Sequence, residues 1–224
     1  MSSQFRYEIK FVLNNIDLAR AMKWMYQYTS AEEHYPKRKV NSLYFDDIYY
    51  SSLKDNLSGI AHRDKKRLRW YDSKRTPPVF EIKHKNGRLG SKEKYILNSL
   101  DSNFYDLKIE KITSTCFEDL QSQNIFFDKY LLPLMLVSYE REYFETLSGL
   151  RITFDNNINF YDPLPSLCLN ECNSIPYSNN IMEIKFEPRL KNSVTKLIRN
   201  LNMTPKRHSK YLVGLAKLDR AVYI

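Results

Sequence analysis

Residues 65–71 read Lys65-Lys66-Arg67-Leu68-Arg69-Trp70-Tyr71, a stretch in which basic and apolar residues alternate. A period of two is that of a β-strand, because successive side chains of a strand point to opposite faces of the sheet. Arg67 and Arg69 therefore share one face, and we expect the other face, with Leu68, to pack against a core. A single basic strand of this kind is explained by a sheet face in contact with water.

Five further segments show the same alternation, so the pattern recurs along the chain. They read Arg6-Tyr7-Glu8-Ile9-Lys10, Glu81-Ile82-Lys83, Tyr139-Glu140-Arg141, Arg151-Ile152-Thr153-Phe154-Asp155 and Glu183-Ile184-Lys185. A solvated face normally mixes both signs of charge, because like charges on neighbouring strands repel each other. The predicted faces instead carry a basic excess: Lys10, Arg67, Arg69, Lys83, Lys92, Lys94, Arg141, Arg151 and Lys185 against Glu8, Glu81, Asp155, Glu183 and Glu187. This excess indicates that an anion binds among the cations.

The charge of the whole chain indicates the same class of ligand. The 224 residues include 35 Lys and Arg and 26 Asp and Glu, giving a formal charge of +9 and a pI near 9.3. A basic excess of this size favours an anionic partner, such as nucleic acid, an anionic membrane surface or a phosphorylated small molecule. Aromatic residues make up 14% of the chain, which is not typical of a disordered basic tail.

The cysteines and the apolar runs indicate a cytoplasmic protein. Cys116, Cys168 and Cys172 are odd in number and form no CxxC pair, which favours buried thiols in a reducing compartment over a zinc site. The N-terminal residues contain no apolar signal-peptide core. The longest apolar run, from Leu131 to Val137, is too short to span a bilayer and contains Pro133. We therefore expect membrane association only through a partner protein.

The sequence lacks repeats and linkers and predicts a single domain over residues 1–224. Helices are predicted from an Asp17 cap to Thr29, over 49–57, over 114–132, from Pro188 to about Leu201, and at the C-terminus after Lys210. Beyond the first strand, further strands are predicted at 40–46, 63–71, 78–86, 90–97, 134–145, 149–156 and 181–187. Asn86-Gly87 and Ser148-Gly149 form the turns of two hairpins, while residues 160–180 receive no assignment. The fold class is α+β with a large antiparallel sheet, and about eight strands suffice to close a barrel that holds one small ligand.

A closed barrel with the charged faces inside would make the chemistry specific. Arg supplies bidentate donors that match phosphate oxygens, and a few carboxylates would bind a manganese or magnesium ion (Mn²⁺ or Mg²⁺) that bridges phosphates. The sequence has no Walker loop, GxGxxG or kinase signature. The four histidines show no spacing that links them to a nucleophile.

These segments together resemble the VTC domain, the polyphosphate polymerase domain of the vacuolar transporter chaperone complex. That domain belongs to the triphosphate tunnel metalloenzyme (CYTH-like) superfamily. The resemblance runs in order through Asn41-Ser42-Leu43-Tyr44-Phe45-Asp46, Arg67-Leu68-Arg69-Trp70-Tyr71, Glu81-Ile82-Lys83, Tyr139-Glu140-Arg141, Arg151-Ile152-Thr153, Glu183-Ile184-Lys185 and Ser209-Lys210-Tyr211. It covers almost the whole chain.

The resemblance implies an eight-stranded antiparallel β-tunnel, a closed barrel with flanking helices, that binds triphosphate and a metal ion. Carried over by position, the catalytic residues would be Lys10, Arg67, Arg69, Lys83, Arg141, Arg151 and Lys210. Further phosphate-binding residues would be Lys92, Lys94, Tyr139, Lys185, Arg207 and Ser209. The metal ligands would be Glu183 and Glu8. ATP and polyphosphate, or tripolyphosphate, would be the ligands, with no nucleic acid expected.

One departure from the superfamily affects the expected reaction. The superfamily opens with a Glu-x-Glu-x-Lys strand, whereas this chain has Arg6 at the first position and keeps only Glu8 and Lys10. The loss of one carboxylate favours the polymerase branch over hydrolases. Two alternatives stay open: a hydrolase of tripolyphosphate or nucleoside triphosphate, and a non-catalytic module that binds polyanions, including RNA through Tyr71, Tyr139 and Tyr143.

Overall fold

The computed structural model describes residues 6–72, 77–87, 89–100 and 104–221, with Leu89 described by its backbone alone. Within these residues it contains nine strands and five α-helices, and the sheet is mostly antiparallel, which confirms the α+β class. The strands are β1 Tyr7–Leu13, β2 Glu32–Asp47, β3 His62–Tyr71, β4 Val79–Asn86, β5 Leu89–Ile96, β6 Leu131–Glu145, β7 Arg151–Tyr161, β8 Ser174–Pro176 and β9 Asn180–Phe186. The helices are α1 Asn15–Tyr28, α2 Ser51–Ser58, α3 Ile109–Ser122, α4 Lys191–Arg199 and α5 Lys210–Lys217.

The chain divides into two compact units, each built from three separate segments. The first unit comprises the chain up to Lys39, Tyr139–Ile158 and Pro176–Ser209. The second comprises Val40–Ser138, Asn159–Ile175 and the chain from Lys210. The predicted single domain, and the closure of eight strands into a tunnel, stay predictions.

In the first unit the strand order is β1-β9-β7, followed by the parts of β6 and β2 that belong to this unit. The apolar positions of these strands form a core with α1 and α4, which includes Phe11, Trp24, Phe154, Ile184 and Val194. The charged positions take the opposite face, as the period of two requires. Helix α1 begins earlier than predicted, because the side chain of Asn14, and not that of Asp17, caps it by accepting the backbone N–H of Asp17 at 2.8 Å.

The register of β1, β9 and β7 aligns the charged residues of the first unit in rows. Lys10 lies opposite Glu183, which lies opposite Thr153. In the next row, Glu8 lies opposite Lys185, and Lys185 lies opposite Arg151. Residues opposite each other in antiparallel strands share a face, so the predicted alternation produces one charged surface here.

In the second unit the parts of β6 and β2 that belong to it are followed by β3, β4 and β5. Gly87 has a φ of +61°, and β4 and β5 on either side of it pair in antiparallel fashion, as the Asn86-Gly87 signal predicts. The core packs Leu43, Leu68 and Phe80 against α3 residues that include Ile112 and Cys116. The opposite face of these strands carries the charged residues.

Helix α3 corrects the prediction of a helix over 114–132. The helix spans Ile109–Ser122 and ends in a Schellman-type arrangement, in which Asn124 has a φ of +60° and the N–H of Ile125 donates to the Leu120 carbonyl at 2.9 Å. Its first turn is satisfied by tertiary contacts, since the N–H groups of Ile109 and Glu110 donate to carbonyls of residues 167 and 165. The apolar residues from Leu131 onward belong to β6 instead.

Two other element boundaries differ from the sequence-based prediction. Strand β2 begins at Glu32 and not at residue 40, because its first half is exposed and lacks the apolar alternation that marks a buried strand. The unassigned stretch 160–180 contains the short strand β8, which pairs with β7. None of the helices in the described ranges is long and apolar enough to cross a membrane.

Asp46 connects α2 and α5 within the second unit. Its buried carboxylate accepts the backbone N–H groups of Ser52 and Leu53, each at 2.9 Å, and the hydroxyl of Tyr211 at 3.0 Å. The bonds to Ser52 and Leu53 satisfy donors in the first turn of α2. The bond from Tyr211 fixes the start of α5, the helix that begins at Lys210.

We expect Gly214→Ala to destabilise the protein, because helix α5 packs too closely for a methyl group at this position. A Cβ there would clash with Met135 Sδ and lie 2.6 Å from a ring carbon of Phe160. Overpacking of this kind costs about 1–3 kcal/mol, and the better helix propensity of Ala offsets about 1 kcal/mol of that cost. Chemical denaturation should therefore show a lower free energy of unfolding.

Gly90→Ala serves as the control substitution. Its added Cβ would approach only the His84 carbonyl, at the ordinary contact distance of 3.5 Å. The free energy of unfolding should stay within about 0.5 kcal/mol of the wild type. Equal losses for both variants would contradict the close packing of α5.

Candidate functional site

The charged surfaces of the two units each contain a cluster of ion pairs. The first cluster, in the first unit, consists of Glu8, Lys10, Arg141, Asp155, Glu183 and Lys185. The second cluster, in the second unit, consists of Tyr44, Arg67, Arg69, Glu81 and Lys92. In both clusters a buried carboxylate lies among several cations.

Glu183 is the central carboxylate of the first cluster. The residue is 7% exposed, and its oxygens lie 3.3 Å from Lys185 Nζ and 3.8 Å from an Arg141 nitrogen. Burial by itself would raise the pKa of Glu183, but the charges of Lys185, Lys10 and Arg141 and a hydrogen bond with Glu8 hold it well below its usual range. Glu183 is therefore ionised at neutral pH.

Arg141 is held in a fixed orientation by Asp155. The Nε and one terminal nitrogen of Arg141 donate to the two oxygens of Asp155, at 2.5 and 2.7 Å, and Asp155 is completely buried. Burial opposes the charge of Arg141, yet the carboxylate of Asp155 raises the pKa of Arg141 well above its usual value. The guanidinium also lies 5.2 Å from the ring centre of Tyr139 and 5.9 Å from that of Tyr143. Its donors thus have a defined position for an anion.

Lys10 connects the first cluster to the chain segment that precedes α5. Its Nζ pairs with Glu8 at 2.8 Å and donates to the His208 carbonyl at 3.2 Å. The N–H of Lys206 donates to the carbonyl of Lys10 at 2.9 Å. The segment that carries the predicted phosphate ligands Arg207 and Ser209 is therefore attached to β1, with Arg207 exposed.

Two further predicted residues of the first unit differ in burial. Tyr139 is 2% exposed, so it contributes mainly through its ring beside Arg141. The side chain of Arg151 is 45% exposed and pairs with Glu145 at 3.0 Å. Arg151 lies opposite Lys185 in the register but at the solvated end of the surface.

Glu81 is the central carboxylate of the second cluster. One of its oxygens accepts two hydrogen bonds from Arg67, at 2.6 and 2.9 Å, and lies 3.9 Å from Arg69, while the other accepts Lys92 Nζ at 2.8 Å. Burial would raise the pKa of Glu81, but Arg67, Arg69 and Lys92 outweigh it and lower the pKa to about 2. The carboxylate thus holds three cations together that would otherwise repel each other.

Tyr44 belongs to the second cluster, although the sequence-based site did not include it. A terminal nitrogen of Arg67 donates to its hydroxyl at 2.9 Å, and its ring lies 5.1 Å from that of Tyr211. Burial opposes ionisation, but the charges of Arg67 and Arg69 hold the pKa of Tyr44 below its usual value. The alternation in the sequence could have identified Tyr44, because it places Tyr44 on the same face of β2 as Ser42. Ser42 accepts a hydrogen bond from Arg69 at 3.2 Å.

The remaining lysines of the second unit follow the register. Lys83 lies opposite both Lys65 and Lys92, and Lys94 lies opposite Glu81. Lys94 is exposed, and Lys210 is partly buried at the start of α5. The side chain of Lys92 is 37% exposed, yet partial desolvation, together with the nearby charges of Arg67 and Lys94, lowers its pKa to about 8 against the opposing effect of the Glu81 carboxylate.

The first cluster contains carboxylates that could bind a metal ion. No group of three or more His, Cys, Asp or Glu residues is placed to hold a metal within residues 6–72, 77–87, 89–100 and 104–221. Mg²⁺ is usually bound through one or two carboxylates, with water and substrate phosphates as the remaining ligands. Glu183, which is ionised, and the neighbouring Glu8 could supply one or two such carboxylates.

Several solved structures share the fold of this chain at low sequence identity. One is a putative adenylyl cyclase from Hippeastrum with a dominant triphosphatase activity, at 14% identity over 95% of both chains and a TM-score of 0.52. Another is a putative adenylate cyclase from Vibrio parahaemolyticus, at 12% identity over 95% of this chain and 99% of that chain, with a TM-score of 0.55. A third is a Pyrococcus horikoshii protein at 13% identity, with the same coverage and a TM-score of 0.50. No protein with a curated function matches the sequence.

The family follows from the sequence itself. The model of the VTC domain matches residues 5–219, which is nearly the whole chain. The chain therefore belongs to the VTC domain family, and the resemblance inferred from its basic strands is confirmed.

We expect Glu81→Gln to lower the pKa of Lys92 below about 8. The substitution removes the carboxylate that stabilises the charged ammonium and leaves the burial that disfavours it. Titration of the lysine side-chain carbon resonances by NMR should show Lys92 losing its proton at lower pH than in the wild type.

Glu93→Gln is the matched control, because Glu93 lies on β5 next to Lys92 but points to the other face. There its carboxylate pairs with His84 at 3.1 Å. The pKa of Lys92 should not change in this variant. An unchanged value in Glu81→Gln would show that Glu81 does not control the charge of Lys92.

Proposed function

We propose that this protein is a metal-dependent polyphosphate polymerase that transfers the γ-phosphoryl group of ATP to a growing polyphosphate chain inside a basic β-tunnel. The proposal depends above all on one observation: the ionised, buried Glu183 lies among Arg141, Lys10 and Lys185 in a chain of the VTC domain family. ATP and polyphosphate are the proposed ligands. The catalytic, phosphate-binding and metal-binding residues carried over from the sequence are part of this proposal.

The two clusters suit phosphoryl transfer, which requires positioning and charge neutralisation more than covalent chemistry. The guanidinium groups of Arg67 and Arg141 are each oriented by a buried carboxylate, Glu81 and Asp155 respectively, and place positive charge beside the proposed phosphate site. Lysines such as Lys10 and Lys92 add compact positive charge. The attacking oxygen comes from the terminal phosphate of the acceptor, so the reaction needs no nucleophile from the protein.

Glu183 and Glu8 would hold the metal ion, which would neutralise part of the charge on the bound phosphates. Lys185 and Lys10 hold Glu183 in its ionised form, as a metal ligand requires. Asp155 keeps Arg141 oriented, so that its positive charge stays beside Glu183. Mn²⁺ and Mg²⁺ are the metal ions to test.

Hydrolysis of tripolyphosphate or a nucleoside triphosphate is the second candidate. A dominant triphosphatase activity is a property of the Hippeastrum protein, whose fold this chain shares. Transfer to water and transfer to phosphate differ only in the acceptor. The presence of Arg6 in place of a superfamily carboxylate favours the polymerase.

Product analysis separates these reactions. The purified protein is incubated with ATP and Mn²⁺, or Mg²⁺, and the products are separated on a gel. A ladder of long polyphosphate supports the polymerase, whereas phosphate release without chain growth rejects it in favour of the hydrolase. Salt-sensitive binding without turnover would identify a polyanion-binding module, and competition with RNA would test its preference.

We expect Glu183→Gln to reduce turnover at least about 100-fold, since it removes the ionised carboxylate at the centre of the first cluster. Binding of polyphosphate should be retained, because the variant removes a negative charge and keeps the cations. Turnover is measured from product formation at saturating ATP and metal, and binding is measured separately by calorimetry.

Glu187→Gln is the matched control, since Glu187 directly follows β9 and pairs with Arg189 at 2.8 Å. Its turnover should stay within about two-fold of the wild type, as for a surface ion pair of small energy. Full activity of Glu183→Gln would overturn the assignment of the metal ligand.

We further propose a cytoplasmic location, with a separate membrane protein as the partner in any translocation of the product.

A further inference from the structure

Arg38 lies in an aromatic corner next to the first cluster, and it belongs to none of the sites described above. Its guanidinium carbon lies 5.2 Å from the ring centre of Tyr35 and 4.9 Å from that of Tyr143. The two rings meet almost at right angles, at 88°, with their centres 5.9 Å apart. The corner therefore holds the guanidinium near both rings, at distances typical of cation–π contacts.

The same Tyr143 ring connects Arg38 to Arg141. The Arg141 guanidinium lies 5.9 Å from that ring. Tyr139, Arg141 and Tyr143 occupy alternate positions of β6 and so share one face, spaced by about 7 Å per two residues. Arg38 thus extends the row of cations beyond Arg141, in the direction away from Tyr139.

A guanidinium held beside two aromatic rings suits an anion at this position. An arginine held against aromatic rings presents its N–H donors in its own plane, where they match the oxygens of a phosphate group. The ammonium of the adjacent Lys37 pairs directly with the Glu140 carboxylate at 2.5 Å. Tyr35 is half exposed, so the corner lies open to solvent on one side.

We propose that Arg38, held by Tyr35 and Tyr143, forms an additional phosphate subsite that engages linear polyphosphate longer than the three phosphates of a triphosphate. The inference rests on the proposed function, because it presumes that Arg141 binds phosphate. It adds a preference for the length of the polyphosphate, because the subsite contributes to binding only when the polyphosphate extends past Arg141. Arg38 is a binding residue and takes no part in the chemical step.

The test compares the affinities of two probes, tripolyphosphate and a long linear polyphosphate of uniform length, at constant ionic strength. Arg38→Gln should weaken binding of the long chain about 10-fold and change the affinity for tripolyphosphate less than about two-fold. Lys37→Gln removes the same charge from the adjacent residue and should change both affinities less than about two-fold. Tripolyphosphate binding also reports on folding, and Arg38→Lys, which keeps the charge but lacks the planar fork, should fall between Gln and the wild type.

Each possible result supports or overturns the proposed subsite at Arg38. A loss confined to the long chain and to Arg38 supports the subsite. Equal losses for both probes, or equal losses in Lys37→Gln, would mean that Arg38 acts only through general charge and would overturn it. Unchanged binding in Arg38→Gln overturns the subsite alone, whereas a wild-type protein that binds neither probe overturns the proposed function and this inference with it.

Discussion

The pairing of buried carboxylates with arginine and lysine is the interaction on which both charged clusters depend. A buried ion is costly without a partner, and removal of one partner from such a pair costs about 3–5 kcal/mol. Glu81 allows Arg67, Arg69 and Lys92 to lie side by side, and Asp155 fixes Arg141 in the same way. The buried carboxylates thus offset the repulsion between the neighbouring arginine and lysine side chains.

This arrangement also determines how an anion can bind. A phosphate group that approaches the second cluster meets guanidinium groups already oriented by Glu81 and by the hydroxyl of Tyr44, so little side-chain entropy is lost on binding. The same carboxylate repels the anion and competes for the same donors. The affinity of the second cluster for an anion is therefore moderated.

Much of the fold could be predicted from the sequence, because the period of two is kept in most of the charged strands. Alternation placed Arg67 and Glu81 on one face, and the order of the motifs along the chain was enough to identify the family. The element boundaries were harder to predict where tertiary contacts decide them. Helix α3 begins where carbonyls of residues 165 and 167 accept its first N–H groups, and no local signal indicates those partners.

The contacts within the candidate site were likewise hard to predict, because they depend on tertiary structure. Register between strands is not encoded in any one strand, so the contact of Arg67 with Tyr44 follows only from the alignment of β2 with β3. The roles of Glu81 and Asp155 as partners of the cations likewise depend on side-chain distances. Arg38 lies in the exposed half of β2, where the apolar alternation that revealed the other basic residues is missing.

The composition of each unit from three separated segments has a consequence for biosynthesis. The first unit needs residues 176–209 to complete its sheet, since β9 pairs with both β1 and β7. Until the ribosome has made β9, β1 has no strand to pair with and exposes an unpaired edge. Pairing over such sequence separations is intrinsically slow, so the exposed edge favours aggregation until β9 has been made.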